Sequence, residues 1–153
     1  MTNDRTTANP SATTDASITG RCYCGHSQVQ TTAPPLAIAY CHCLDCRRFT
    51  GAPVAAFAAF GTGTVNFTPD EGRHVAVTPG VIRSFCPQCG SPIAARFDYL
   101  PGQIYVALGI LDQADDLPPQ MHAHAGARLT WLHIDDDLER VEASSRDRLL
   151  QRE

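Results

Sequence analysis

Seven cysteines fall into three clusters: Cys22-x-Cys24, Cys41-x-Cys43-x-x-Cys46 and Cys86-x-x-Cys89. As thiolates they bind metal strongly, and a short Cys-x-x-Cys turn offers two sulfurs from one loop. Seven divides into four and three. Four sulfurs close a tetrahedral structural zinc site, whereas three leave a position open for water, a thiol or substrate. The count therefore points to two zinc ions per chain, one that holds the fold and one able to do chemistry. Disulfides are the competing explanation. But seven is odd, and the stretch Met1–Gly20 has neither the basic start nor the apolar core of a secretory signal. A reducing, cytoplasmic setting is expected, where metal sites and free thiols outnumber disulfides. Inert, buried cysteine would suit one isolated residue better than three clusters.

Cys86-Pro87-Gln88-Cys89-Gly90 has the form of a zinc knuckle, in which Pro fixes part of the turn and Gly lets backbone amides face sulfur. Cys22-Tyr23-Cys24-Gly25 is its natural partner. Together they make a closed site of Cys22, Cys24, Cys86 and Cys89 that staples distant parts of the chain, so metal binding and folding are coupled. Cys41, Cys43 and Cys46 hold an ion from one side only. His42 lies inside this cluster as a candidate fourth ligand, yet local alternation points it away from the flanking sulfurs. His26 is a weaker candidate. His122 and His124 alternate, as the pair of a two-histidine metal site would. Arginines flank the sulfurs at Arg21, Arg47, Arg48 and Arg83. Arg47 directly follows the open cluster and is the arginine expected to offset its negative charge. The candidate catalytic set is thus Cys41, Cys43, Cys46 and Arg47. Asp45 is a candidate general acid, in competition with a plain helix-capping role.

These residues need a frame. Residues 1–17 are rich in Thr, Ser, Ala, Asn and Asp and bury too little apolar surface to offset ordering entropy, so a disordered tail is expected. From Ile18 the pattern is one of short strands between turns, with candidates at 27–31, 36–40, 53–60, 64–67, 73–77, 81–85, 92–97 and 104–109. Pro34-Pro35, Gly61-Thr62-Gly63, Pro79-Gly80 and Pro101-Gly102 punctuate them. The expected fold is mainly β, with several antiparallel sheets around the zinc sites. A helical turn is expected at 44–50, stopped by Gly51. A C-terminal helix is expected from Asp135 onward, capped by Asp135–Asp137 and striped by Leu138, Val141 and Leu149. One domain over 18–135 with a helical extension over 136–153 follows.

Composition excludes several functions. All twelve basic residues are arginine, which removes Schiff-base and lysine general-base chemistry. The formal charge is -4, and thiolate-rich zinc sites make it more negative. Nucleic-acid binding, which needs a basic stripe, is not expected. With no run of 18 apolar residues, no membrane-spanning helix is expected either.

Gly20-Arg21-Cys22-Tyr23-Cys24-Gly25, Cys41-His42-Cys43-Leu44-Asp45-Cys46-Arg47, Gly51-Ala52 and Arg83-Ser84-Phe85-Cys86-Pro87-Gln88-Cys89-Gly90-Ser91 together resemble the glutathione-dependent formaldehyde-activating enzyme family. That family also includes the domain of centromere protein V. Gly109, Leu111-Asp112, Pro119 to His122 and Trp131 resemble its weaker carboxy-terminal pattern. The resemblance runs from about residue 18 to 135. It implies a β-tent fold, a structural zinc on Cys22, Cys24, Cys86 and Cys89, and a second zinc on Cys41, Cys43 and Cys46 that a thiol approaches. It also implies carbon–sulfur lyase chemistry: reversible addition of a small thiol such as glutathione to formaldehyde or a related aldehyde, as in S-(hydroxymethyl)glutathione synthesis.

A zinc with three thiolates is a weak Lewis acid toward water but suits a fourth sulfur, held as thiolate at neutral pH. Placing that sulfur beside a carbonyl makes the addition a local event. Two non-catalytic alternatives remain open from sequence: a thiol-based zinc or redox-sensing module, and a protein-interaction domain with two structural ions.

Overall fold

The computed structural model describes residues 17–151, so the stretch expected as a disordered tail lies outside the described residues, apart from Ser17. Among the described residues, eleven strands form two sheets. The smaller contains β1 (Ile18–Arg21), β2 (Gln28–Thr31) and β5 (Val65–Thr68), all antiparallel. The larger has the order β11-β10-β3-β4-β9-β8-β7-β6. Its strands are β3 (Ala37–Cys41), β4 (Ala55–Gly61), β6 (Arg73–Val75), β7 (Val81–Phe85), β8 (Pro92–Phe97), β9 (Gln103–Ala107), β10 (Met121–Ala123) and β11 (Glu139–Arg140).

The two central strands explain why there are two cores. β4 reads AAFAAFG with no polar residue to mark a wet face. Its alternate residues Ala58 and Phe60 enter one core, and Ala55, Phe57 and Ala59 enter the other. β9 splits in the same way, with Ile104 and Val106 on one side and Tyr105 and Ala107 on the other. This is the period-two alternation of a sheet covered on both faces. Each fully buried Phe or Ile contributes about 1.5–3 kcal/mol relative to exposure. Cys22 and Cys86 sit in the first core and Cys46 in the second. The two cysteine groups therefore belong to opposite faces of one sheet.

Three features differ from expectation. Strands Ile18–Arg21, Met121–Ala123 and Glu139–Arg140 fall outside the anticipated set. The large sheet is mixed, because β10 runs parallel to both β3 and β11. And the chain after Asp135 is not one helix. α1 (Leu44–Thr50) forms as expected, but α2 is confined to Arg146–Leu150. Asp136 does cap, but in a turn: its Oδ1 accepts from the Leu138 amide at 3.2 Å. Arg140 then donates to the carbonyls of Ile134, Asp136 and Leu138, which would be helix acceptors otherwise. Side chains that capture local backbone groups compete with helix in this way. β11 and Leu149 tie the segment to β10 and to the second core.

Candidate metal centres and the cavity beside them

Two related turns build the four-cysteine group. The Cys22 amide donates to Ser27 O and Cys86 N–H to Ser91 O, both at 2.9 Å. Gly25 N–H returns to Cys22 O and Gly90 N–H to Cys86 O. Gly25 and Gly90 have φ of 82° and 76°, a left-handed conformation that a side chain would strain. The turns face each other: Cys22 Sγ lies 3.5 Å from Cys24 Sγ, and Cys24 Sγ 3.8 Å from Cys86 Sγ. The four sulfurs of Cys22, Cys24, Cys86 and Cys89 lie within 4.8 Å of one another. Donors surround them, with Ser27 N–H on Cys22 Sγ at 3.2 Å and Ser91 Oγ 3.2 Å from Cys89 Sγ. Ser91 helps to hold Cys89 down at about 5. Cys24 is pushed up to about 12, since the His26 amide that favours its thiolate is outweighed by desolvation and by the crowding sulfurs.

The second group comes from one stretch. β3 ends at Cys41, and α1 begins after Cys43, whose Sγ caps the helix by accepting from Cys46 N–H at 3.2 Å. Gly51 closes the helix by donating to Arg47 O. Cys41, Cys43 and Cys46 again place their sulfurs within 4.8 Å. Hydrogen bonds from Cys41 and Cys46 hold Cys43 down at about 2, so it is the thiolate of the three. Cys41 is pushed up by its hydrogen bond to Cys43 and by burial. Cys46 is also raised: the Cys41 contact lowers it, but its hydrogen bond with Cys43 and burial outweigh that. Three adjacent sulfurs cannot all ionise unaided, and a divalent cation reverses that balance. None of the seven cysteines is in a disulfide, and they are grouped four and three, so the donor sets fit thiophilic ions such as zinc.

The arginine that reaches this group is Arg83. Its Nη2 donates to Cys46 Sγ at 3.4 Å, and its guanidinium stacks on the rings of Phe49 and Phe97 at 5.1 and 5.8 Å. β7 carries Arg83 to the thiols from a register position opposite Ala95. Arg47, expected here, makes no hydrogen bond to a sulfur among the described residues, and its Nε is buried without a partner. Asp45 Oδ2 accepts from Thr78 Oγ1 at 2.9 Å, in the first turn of α1.

His42 does point away from the sulfurs. Its Nε2 lies 2.8 Å from His122 Nδ1, and His122 Nε2 lies 3.0 Å from Asp136 Oδ2. Both rings are 2% exposed. Asp136, clamped by Arg140 Nη2 at 3.0 Å, is held below the usual carboxylate range by its hydrogen bond with His122. An ionised carboxylate only accepts, so His122 Nε2 carries a proton and donates to Asp136. Burial lowers the His42 pKa and keeps the ring neutral. His122 and His124 do not form a metal pair, because His124 adopts φ 52° and breaks the alternation. His26 instead meets Gln88 Nε2 at 3.0 Å.

A solvent-facing mouth lies over the three sulfurs, lined by Asp45, Thr78, Arg83 and Tyr99 among others. Behind it a cavity extends past Cys41 and Cys46 between Phe57, Tyr105 and Leu149. Tyr99 and His124 line both spaces. Burial and the negative charge of the cysteine group push Tyr99 up to about 12, so its phenol stays a hydrogen-bond donor at neutral pH.

The sequence profile of one family, the glutathione-dependent formaldehyde-activating enzymes, matches residues 17–127, more than half of the chain. The chain belongs to that family. A search of curated proteins finds no match. A crystal structure of a Rhodobacter sphaeroides protein, solved as a structural-genomics target, superposes with a TM-score of 0.52 at 21% identity. The match covers 61% of this chain and 87% of that one, and at such identity it speaks for the fold alone. Family membership supports a role with glutathione and formaldehyde in general terms. No helix among the described residues is long and apolar enough to cross a membrane.

Proposed function

We propose that the chain is a zinc-dependent carbon–sulfur lyase acting reversibly at Cys41, Cys43 and Cys46. It adds a small thiol such as glutathione to formaldehyde or a related small aldehyde. One observation carries this reading: a three-sulfur group lies beside a solvent-facing mouth, while the other four cysteines form a separate, self-contained group. The S–H bond breaks, the C–S bond forms, and the carbonyl electron pair moves to oxygen, which takes up a proton. The product is a hemithioacetal, and reversal is the lyase reaction.

A zinc ion held by Cys41, Cys43 and Cys46 would supply a place where the incoming sulfur rests as thiolate at neutral pH. The chain's own residues do the rest. Arg83 offsets thiolate charge at Cys46. Tyr99 and His124, which line the space beside the sulfurs, orient the carbonyl oxygen by hydrogen bonding. Phe97 and Leu44 restrict water at the mouth. Cys22, Cys24, Cys86 and Cys89 would hold a second, structural zinc. A cytoplasmic, reducing setting suits seven free thiols.

The test is thiol–aldehyde exchange followed by NMR with the two-zinc protein, Cys46→Ser and free zinc. Because the uncatalysed addition is fast, rates are compared, not end points. The two-zinc protein alone should accelerate exchange. Equal rates for all three samples with every thiol would favour a sensing or interaction module instead.

A further inference from the structure

The space behind the three sulfurs differs in character from the mouth in front of them. The mouth mixes the polar side chains of Asp45, Thr78 and Arg83 with Leu44, Pro79 and Val81. The cavity is walled by Phe57, Phe97, Leu100, Tyr105 and Leu149, over a floor of small residues that includes Ala37, Ala39 and Ala123. Tyr105 presents its ring, because its hydroxyl is spent on Gln103 Oε1. Arg146 stands exposed at the rim, with its Nε donating to Tyr99 O at 3.2 Å. The deep wall therefore offers no free charge. Mouth and cavity meet at Cys41, Cys46, Phe97, Tyr99 and His124.

The free volume of the cavity is about 60 Å³. That is several times the space of about 10–15 Å³ that one water needs. A one-carbon aldehyde leaves most of that space without contact atoms, and an apolar void forfeits dispersion on every wall. A charged tripeptide thiol does not fit there, and its carboxylates would be desolvated without partners. Resting on the activity proposed above, we infer that the carbonyl partner carries a short branched or aromatic hydrocarbon group, seated between Phe57, Tyr105 and Leu149. The thiol's polar body then occupies the mouth. This orientation puts the carbonyl carbon at the junction, beside Cys41, Cys46, Tyr99 and His124. The hydrocarbon group faces the apolar wall, and the thiol approaches from solvent.

Two measurements test this on the two-zinc protein. The first needs no turnover. Unreactive 3-methylbutan-1-ol should give intermolecular NOEs to Phe57, Tyr105 and Leu149, and methanol none. Absence of those NOEs up to millimolar alcohol overturns the assignment. The second is the ratio of the catalysed rate for 3-methylbutanal to that for formaldehyde. The ratio should exceed that of the uncatalysed reactions, and Ala39→Leu, which fills the cavity, should lower it by about tenfold, the scale of misfit in an apolar pocket. Acceleration of formaldehyde alone, with unchanged selectivity in Ala39→Leu, refutes the cavity assignment and leaves the lyase activity standing. Acceleration of neither aldehyde refutes the activity, and the NOEs then decide by themselves whether the cavity binds hydrocarbon.

Discussion

Replacing two cysteines of each group should cost unequal amounts of stability, and the difference follows from chain topology. Cys86→Ser/Cys89→Ser and Cys46→Ser/Cys43→Ser are matched perturbations, each removing one buried and one half-buried cysteine. The first pair belongs to a cross-link in which Cys24 and Cys86 lie 62 residues apart. The second belongs to a cross-link confined to 41–46. With the loop-closure entropy of a covalent bridge as the guide, closing the long loop is worth about 4 kcal/mol and closing the short one about 2 kcal/mol. The first variant should therefore be about 2 kcal/mol less stable than the second. For a chain of this length that is a midpoint lower by roughly 4–8 °C. The assay is thermal unfolding of reduced protein, followed by circular dichroism at one fixed free-zinc concentration, because bound metal itself shifts the midpoint. Equal midpoints, or a less stable Cys46→Ser/Cys43→Ser, would refute the assignment of the long staple to Cys22, Cys24, Cys86 and Cys89.

Three further predictions concern the open group. His122→Asn breaks the chain from Asp136 to His42 and frees the residue between Cys41 and Cys43. Metal affinity there should fall by about tenfold in chelator competition while the four-cysteine ion is retained, and unchanged affinity would show that the chain does not position the loop. Arg83→Met keeps the packing stem but removes the cation 3.4 Å from Cys46 Sγ. The pH profile for alkylation of Cys46 in metal-free protein should move to higher pH, and an unmoved profile would contradict the contact. Last, Cys43 is held as thiolate while Cys41 and Cys46 are held as thiols. Filling the group at neutral pH should release about two protons, read by calorimetry in two buffers, and its affinity should rise with pH. Release of none would contradict that charge state.

The two cysteine groups were legible because cysteine spacing is local: Cys86-x-x-Cys89 and Cys41-x-Cys43-x-x-Cys46 define their turns without the rest of the fold. The strands of β7, β8 and β9 were legible from their turn punctuation, and α1 from Gly51. The parallel strand Met121–Ala123 was not, since three residues carry too little periodicity and its partners Ala39 and Glu139 lie far away in sequence. The helix expected after Asp135 reflects the same limit. Its caps were real, but what they close is decided by Arg140 gathering three carbonyls and by β11 joining the sheet. Arg83 was passed over for Arg47 because sequence adjacency stood in for distance. β7 delivers Arg83 to Cys46 from 37 residues away. The pairing of His42 with His122 spans 80 residues, and only the alternation at His42 hinted that it turns from the sulfurs.

The most direct test of the account is whether a thiol becomes the fourth sulfur at Cys41, Cys43 and Cys46 and nowhere else. Protein loaded with two cadmium-113 ions should give two resonances, one at the four-sulfur position and one with fewer sulfurs. Titration with glutathione should move the second toward the four-sulfur position and leave the first in place, and Cys46→Ser should abolish the response. If neither resonance moves at saturating thiol, the three-cysteine group is not a thiol-binding centre, and the proposed chemistry falls with it.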